Sequence, residues 1–392
     1  MKDLLYIWYD EVKTVLRDKG IMIFILFVPL FYPLLYSYVY TNEVVRDVPA
    51  AVVDDCDSPL SRELLRKIDA TPDVKIIGTF NSMEEAQQMI KEHKAYGIIR
   101  IPDSFNRDLE HGEQTHVGLY CDMSSMLYYK GLLLACTDAS LDINNDIKVE
   151  HVGATTVRDE EETKMPILYE HQCLYNPQSG FAAFLIPPVL MLIIQQTLLL
   201  GIGMEMGSTR EKYNGCVIPF DRHYKHIFPI IGGKALFYLM IYFVMAMYMF
   251  TFVNRSFGLP QLGHYWTLIA FIIPYILSCI FFGITLSSLI YRREDCILIF
   301  VFMSVPMVFL SGVSWPSSNM PIFWKYFSYM FPSSLGMNAY VRIMSMGCNL
   351  DDIRPLYWGI WLQVIIYFIT SCMVYRSNIR KMIYSRLSNQ NQ

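Results

Sequence analysis

The sequence predicts a membrane α-helical protein with six transmembrane helices, an amphipathic N-terminal helix lying in the membrane interface, and an inserted extracytoplasmic α/β domain. Three observations predict it. Of 392 residues, 53% are hydrophobic and only 17% are charged, whereas soluble domains carry about a quarter charged residues. The apolar residues gather into runs close to the ~20 residues a helix needs to cross a bilayer. Between the first and second runs, residues 42–178 have ordinary composition and enough length for a domain with its own core. A net charge of -4 with scattered Lys and Arg excludes a basic nucleic-acid surface. The nine cysteines contain no C-x-x-C pair, which excludes a zinc ribbon or a thioredoxin-like site.

Residues 1–19 form the first element, a cytoplasmic interfacial helix. Along DLLYIWYDEVKTVLRD (3–18), a turn of 100° per residue puts Leu4, Leu5, Trp8, Tyr9, Val12, Val15 and Leu16 on one arc. Such a helix lies in the membrane interface with Trp8 as its anchor; a short soluble helix packed on a partner shares the pattern. The first span, 20–41, is too long for a signal peptide's apolar region and follows a charged segment without a small-residue cleavage site. It is therefore a retained helix, and Pro29 and Pro33, each lacking a backbone donor, are expected to kink it.

In the 42–178 domain, AAVVD (50–54), VKII (74–77), YGIIRI (96–101) and HVGLY (116–120) read as strands. Ser58 with Pro59 opens a helix over LSRELLRKI, and Ser82 with Glu85 forms a capping box ahead of MEEAQQMIKEH. A short helix runs from Asp103 to Gly112 and a longer one over 124–146; the alternation implies an α/β layer. Asp54, Asp55 and Asp57 lack the glycine and distal glutamate of a calcium loop and read as a solvated turn. His111 and His116 read as surface histidines, so no metal site is expected. Cys56, Cys121, Cys136 and Cys173 would face an oxidising compartment, where any of them could pair.

Residues 179–375 hold spans two to six, beginning near Phe181, Ile230, Trp266, Cys296 and Leu356. Basic residues are retained on the cytoplasmic side of short connections. One set of connections holds Lys2, Lys13, Arg17 and Lys19; Arg210, Lys212, Arg222 and Lys225; Arg292 and Arg293; then Arg376, Arg380, Lys381 and Arg386. The other holds only Arg255, Lys325, Arg342 and Arg354. Both termini, including the tail 376–392, are therefore placed in the cytoplasm, and the chain in the inner (plasma) membrane. Tyr36, Tyr38, Tyr40, Trp266, Trp315 and Trp358 fit an outer aromatic belt.

The cytoplasmic connection 205–228 begins within GMEMGSTREKYNG (203–215), whose glycine spacing invites a phosphate-loop reading. That reading fails. No G-x-x-x-x-G-K-[ST] occurs, and an apolar span, not a strand, precedes the stretch. No nucleophile elbow or H-E-x-x-H occurs either, so enzyme chemistry is not expected of this chain. The spans hold almost no ionisable residues, which argues against an ion-coupled carrier. Gln195 and Gln196, the most polar residues at membrane depth, either line a path or bond between helices. The aromatic segment 315–344 is interrupted by Pro316, Pro321 and Pro332 and reads as short outer helices, interfacial or re-entrant, that gate or cap the bundle.

Several segments resemble the ABC-2 type permeases, the membrane subunits of type-2 ATP-binding-cassette exporters, in the branch with a large extracytoplasmic domain after the first helix. They are AAVVDDCDSPLSREL, YGIIRIPDSFNRDLEHGE, LYNPQSGFAAFLIPPVL (174–190) and SGVSWPSSNMP (311–321) followed by FPSS (331–334). The resemblance implies that the 205–228 connection docks on an ATPase subunit through Glu205, Gly207, Ser208, Thr209, Arg210, Glu211 and Tyr213. It also maps a Gly-Lys pair onto Gly233 and Lys234. Ser208 departs from the family pattern by intervening between the glycine and Thr209. The implied function is ATP-driven export of an amphipathic or hydrophobic substrate, drug- or lipid-like. This chain would bind no cofactor, ATP and Mg being held by a partner ATPase. A second permease, identical or different, and membrane lipid are further expected partners, and the outer domain points to a periplasmic adaptor. The alternative is a membrane-anchored envelope protein whose outer domain binds a partner without transport.

Overall fold

A computed structural model describes residues 2–152, 161, 163–164, 173–177, 179–213, 215–218, 223–224 and 226–390, without the side chains of 150–152 and 380–390. Gln178, Asn214, residues 219–222 with Arg222, Lys225, and the side chains of Arg380, Lys381 and Arg386 thus lie outside what is described. The chain divides into two compact units, a helical one built from Met1–Glu43 and Cys173–Gln392 and an α/β one built from Val44–Gln172.

In the α/β unit the elements run β1 (Val48–Asp54), α3 (Pro59–Asp69), β2 (Val74–Thr79), α4 (Met83–Lys91), β3 (Gly97–Ile101), α5 (Phe105–Glu110), β4 (Gly118–Cys121) and α6 (Met126–Val152). The strands lie in the order β2-β1-β3-β4, with β1 parallel to both neighbours and β4 antiparallel to β3. Two-residue alternation sends Val48, Ala50 and Val52 to one face, against Leu64, Ile68 and the α6 residues Leu132 and Ala135. Ala51 and Val53 go to the other face, against Ala86 and Ala95. Both faces are covered, as a parallel sheet requires.

Caps set the helix starts. Ser58 accepts from Ser61 N–H at 3.0 Å while Ser61 Oγ accepts from Ser58 N–H at 3.0 Å, a capping box ahead of Pro59. Ser82 accepts from Glu85 N–H. The acids after β1 hold their own turn: Asp54 accepts from Cys56 and Asp57 N–H and from Ser61 Oγ, Asp55 pairs with Arg100, and Asp57 pairs with Arg62. Cys56, Cys121 and Cys136 stand as thiols outside any disulfide; burial pushes Cys136 up to about 12.

The helical unit comprises α1 (Lys2–Arg17), α2 (Lys19–Val39), α7 (Phe181–Lys212), α8 (Ile227–Ser256), α9 (Tyr265–Leu289), α10 (Arg293–Leu310), α11 (Ile322–Ser328), α12 (Pro332–Met344) and α13 (Arg354–Gln390). Among the described residues five helices are long and apolar enough to cross a membrane: α2, α7, α8, α9, and α13 over Arg354–Ile379. The segment expected as another span forms α10. Its 18 residues open with Arg293, Glu294 and Asp295, so its apolar stretch is shorter than those of the other five helices. Helix α2 runs on through Pro29 and Pro33. Its turn over Ile23–Phe27 widens to π geometry, which makes room where the Pro29 ring would meet the Ile25 carbonyl. Helix α7 is the core, buried along most of its length from Ile186 to Gly207.

Two expectations are corrected. Residues 203–212 are not a loop: α7 continues unbroken to Lys212, so the connection begins at Tyr213. Its glycines serve close packing. A Cβ at Gly201 would fall 2.5 Å from Ile25 Cγ1, and one at Gly207 would fall 2.9 Å from the Arg293 backbone. Nor do the spans lack charge of consequence, since Glu205 in α7 and Lys234 in α8 are both buried.

Candidate functional site

The site begins with the docking of α1 on α8. Gly232 and Gly233 leave α8 without side chains there, so α1 comes close; a Cβ at Gly233 would sit 2.9 Å from Ile7 Cγ2 and 3.0 Å from the Leu4 carbonyl. The buried residues of α1 are Ile7, Glu11 and Val15, at the i, i+4, i+8 spacing of one helix stripe. The buried face is therefore rotated from the apolar arc read in the sequence. Leu5, Tyr9 and Leu16 are exposed, and Trp8 is half-buried against the bundle.

This rotation carries Glu11 inward to Lys234. Lys234 Nζ donates to Glu11 Oε2 and Oε1 at 2.8 and 3.0 Å and to Glu205 Oε2 at 2.8 Å. Tyr238 Oη donates to Glu11 Oε1 at 3.0 Å, and Thr209 Oγ1 donates to Glu205 Oε1 at 3.1 Å. The three charged side chains are 4–5% exposed. Charges this deep persist only when paired and hydrogen-bonded. Two carboxylates share one ammonium here. Burial, then repulsion from Glu205, raise Glu11 to about 7 against the opposing pull of Lys234.

A second ion pair extends the site. Asp18 caps α2 by accepting from Gly20 and Ile21 N–H, and Arg293 grips the same carboxylate in a two-pronged bond at 2.6 and 2.8 Å. Burial alone would raise Asp18, but these donors outweigh it and hold it below the usual carboxylate range. The end of α7 clamps the turn from α9 to α10. Arg210, itself buried, donates to the Ile290 and Ser288 carbonyls, and Glu211 accepts from Arg293 N–H at the start of α10. Beyond α7 the chain returns to α1, where Tyr224 Oη donates to Asp10 at 2.8 Å and His223 Nδ1 lies 2.8 Å from Asp3 while its ring stacks on Tyr6. A cleft of ≈ 450 Å³ opens between α1 and the end of α7.

Of the residues singled out in the sequence for contact with another chain, Glu205, Gly207, Thr209 and Arg210 are buried in the bundle. Ser208 and Tyr213 are half-buried, and Glu211 is exposed. Gln195 and Gln196 lie together in the core, away from this group: both donate to Met307 Sδ, and Gln195 accepts from Ser333 N–H at 2.6 Å. These bonds tie α7 to α10 and α12, as polar residues between membrane helices do. Among the described residues no cluster of three His, Cys, Asp or Glu could hold a metal ion.

A family model for the ABC-2 family transporter protein matches residues 19–375, the stretch that holds four of the candidate spans, most of the fifth and the α/β unit. The chain belongs to the ABC-2 transporter family. Helices α2 to α13 are thus those of a multi-pass membrane protein of this family. A relative from Escherichia coli K12 described as a probable multidrug ABC transporter permease, YbhR, is 21% identical over 95% of this chain and 97% of its own length. ABC transporter G family member 20 of Dictyostelium discoideum is 23% identical over 73% of this chain, which spans only 38% of that longer protein.

The residues that sequence reading passed over are Glu11, Asp18, Tyr238 and Arg293. Lys234 was marked only through the family resemblance. Two signals pointed to the buried triad: Lys234 is the lone charge within IFPIIGGKALFYLMIYFVMAM, and Glu11 falls midway between Ile7 and Val15 on one stripe.

Proposed function

We propose that the chain is the permease subunit of an ATP-driven type-2 exporter, moving an amphipathic or hydrophobic, drug- or lipid-like substrate out of the cytoplasm or inner membrane. ATP and Mg are held by a partner ATPase chain, and a second permease, identical or different, completes the path. Both termini face the cytoplasm, the α/β unit lies outside and meets a periplasmic adaptor, and α10 serves as the sixth span. The observation that carries the reading is the triad Glu11–Lys234–Glu205, which fastens the N-terminal helix to α7 and α8 beside the connection that follows Lys212.

Force delivered by an ATPase to α1 or to that connection would pass to two spans at once, because paired buried charges resist separation. The exposed Glu211 and the half-buried Ser208 and Tyr213 are the members of the contact set that a partner can reach without rearrangement. An apolar substrate suits this bundle, since its buried triad is self-paired and offers no free charge to an ionic one. The test is extraction of the full chain from its own host in mild detergent. A nucleotide-binding ATPase chain is expected to come down with it, and its ATP hydrolysis to rise with added amphipathic drugs. A stable preparation without any ATPase chain overturns the reading.

A further inference from the structure

The cleft between α1 and the end of α7 holds charges of both signs, in unequal condition. Its carboxylates are engaged: Glu11 and Glu205 by Lys234, Asp18 by Arg293, and Asp10 by the Tyr224 hydroxyl. Its cations Lys13, Arg17 and Lys212 meet no carboxylate at ion-pair distance among the described residues, and Lys212 rests over the Tyr213 ring at 5.5 Å. Ser208 Oγ, shielded from water, lines the same cleft without a hydrogen-bond partner, and Thr14 adds a hydroxyl. Lys13 and Arg17 stand one helical turn apart, a spacing at which like charges repel. An anion between them and Lys212 removes that repulsion and uses the open donors.

The geometry around the cations selects the kind of anion. At 100° per residue, Lys13 and Arg17 lie on the edge of α1 between the cleft and the exposed stripe of Leu5, Tyr9 and Leu16. A ligand gripped by these cations therefore has apolar surface directly beside it. The cleft, at ≈ 450 Å³, is far larger than one carboxylate side chain needs. We propose that it binds an anionic phospholipid, with the phosphate among Lys13, Arg17 and Lys212 and the acyl chains along Leu5, Tyr9 and Leu16. The proposal rests on α1 lying in the cytoplasmic membrane interface but needs no ATPase partner. An acidic segment of a partner protein would satisfy the cations and leave the apolar stripe unused.

The test counts lipids on the full chain by native mass spectrometry after titration with dioleoylphosphatidylglycerol or dioleoylphosphatidylcholine. The parent chain is expected to retain the anionic lipid preferentially. At about a factor of five per cation near an anionic headgroup, the triple variant K13Q/R17Q/K212Q is expected to lose about 100-fold in apparent affinity for it. A count-matched control in the α/β unit, R66Q/K75Q/K91Q, is expected to bind as the parent does. Single variants, with thermal unfolding recorded for each, separate lost binding from lost folding: K13Q and R17Q are expected to weaken binding at parental stability. Undiminished lipid retention in the triple variant overturns the proposal, as does equal protection of the parent by glycerol phosphate alone. Retained lipid with loss of a co-purifying ATPase also overturns it and makes the cleft a protein seat.

Discussion

Among the described residues, two lysines each bridge carboxylates from outside their own helix, in opposite surroundings. In the α/β unit, Lys67 Nζ reaches Asp142 at 2.6 Å and Asp146 at 2.9 Å, joining α3 to α6. In the helical unit, Lys234 reaches Glu11 and Glu205, each at 2.8 Å. The distances barely differ, but the solvent does: the surface acids are 62% and 50% exposed, while the buried ones are nearly sealed. Water screens the first cluster and leaves each of its members an alternative partner. The second has no alternative, so its members hold one another in place.

The sharpest way to break that comparison is to remove each lysine. Lys234→Met strands two carboxylates in the bundle and is expected to cost about 3–5 kcal/mol, read as a large fall in detergent-solubilised melting temperature. Melting no lower than that of the Lys67 variant would show that water reaches the buried triad.

The two clusters also carry opposite signs with pH. Glu11 is raised, so the folded chain holds its proton more tightly than the unfolded chain does. The stability it contributes is full below 4.5 and is lost as pH rises to about 7. Asp146, lowered chiefly by its hydrogen bond from Lys67, contributes stability that is present above 3.8 and is lost as pH falls below it. Melting of the parent is therefore expected to drop relative to Glu11→Gln between pH 4.5 and 7, and relative to Asp146→Asn only in stronger acid. A constant difference between parent and Glu11→Gln across the first window would remove the triad's titration from the account. The smallest effect belongs to Lys67→Met, at most about 1 kcal/mol for so exposed a cluster, measured by the same melting assay.

Much of the architecture was legible because it is local. Ser58–Pro59 and Ser82–Glu85 announce their helices through bonds made within three residues. The strands announce themselves as short apolar runs between turns, and five longer apolar runs form helices with the length to cross a membrane. The segment starting near Cys296 was harder, since three charges open its helix. The stretch 203–212 misled because its glycines look like loop residues. They are close-packing sites in a helix, and only the neighbours at 2.5–2.9 Å reveal that.

The sequence by itself determined five apolar spans, the α/β layer and the caps, which follow from composition, periodicity and short-range order, while the family showed through the likeness of whole segments to known permeases. Only the tertiary structure decided which face of the N-terminal helix is buried and which charges meet. Hydrophobic arcs record what prefers to leave water, whereas α1 turns by the room that Gly232 and Gly233 leave on α8. That turn brings Glu11 to a lysine 223 residues further along the chain. The physical reason is that ion pairing inside a bundle depends on distance and dielectric, neither of which is written in the spacing of residues along the chain.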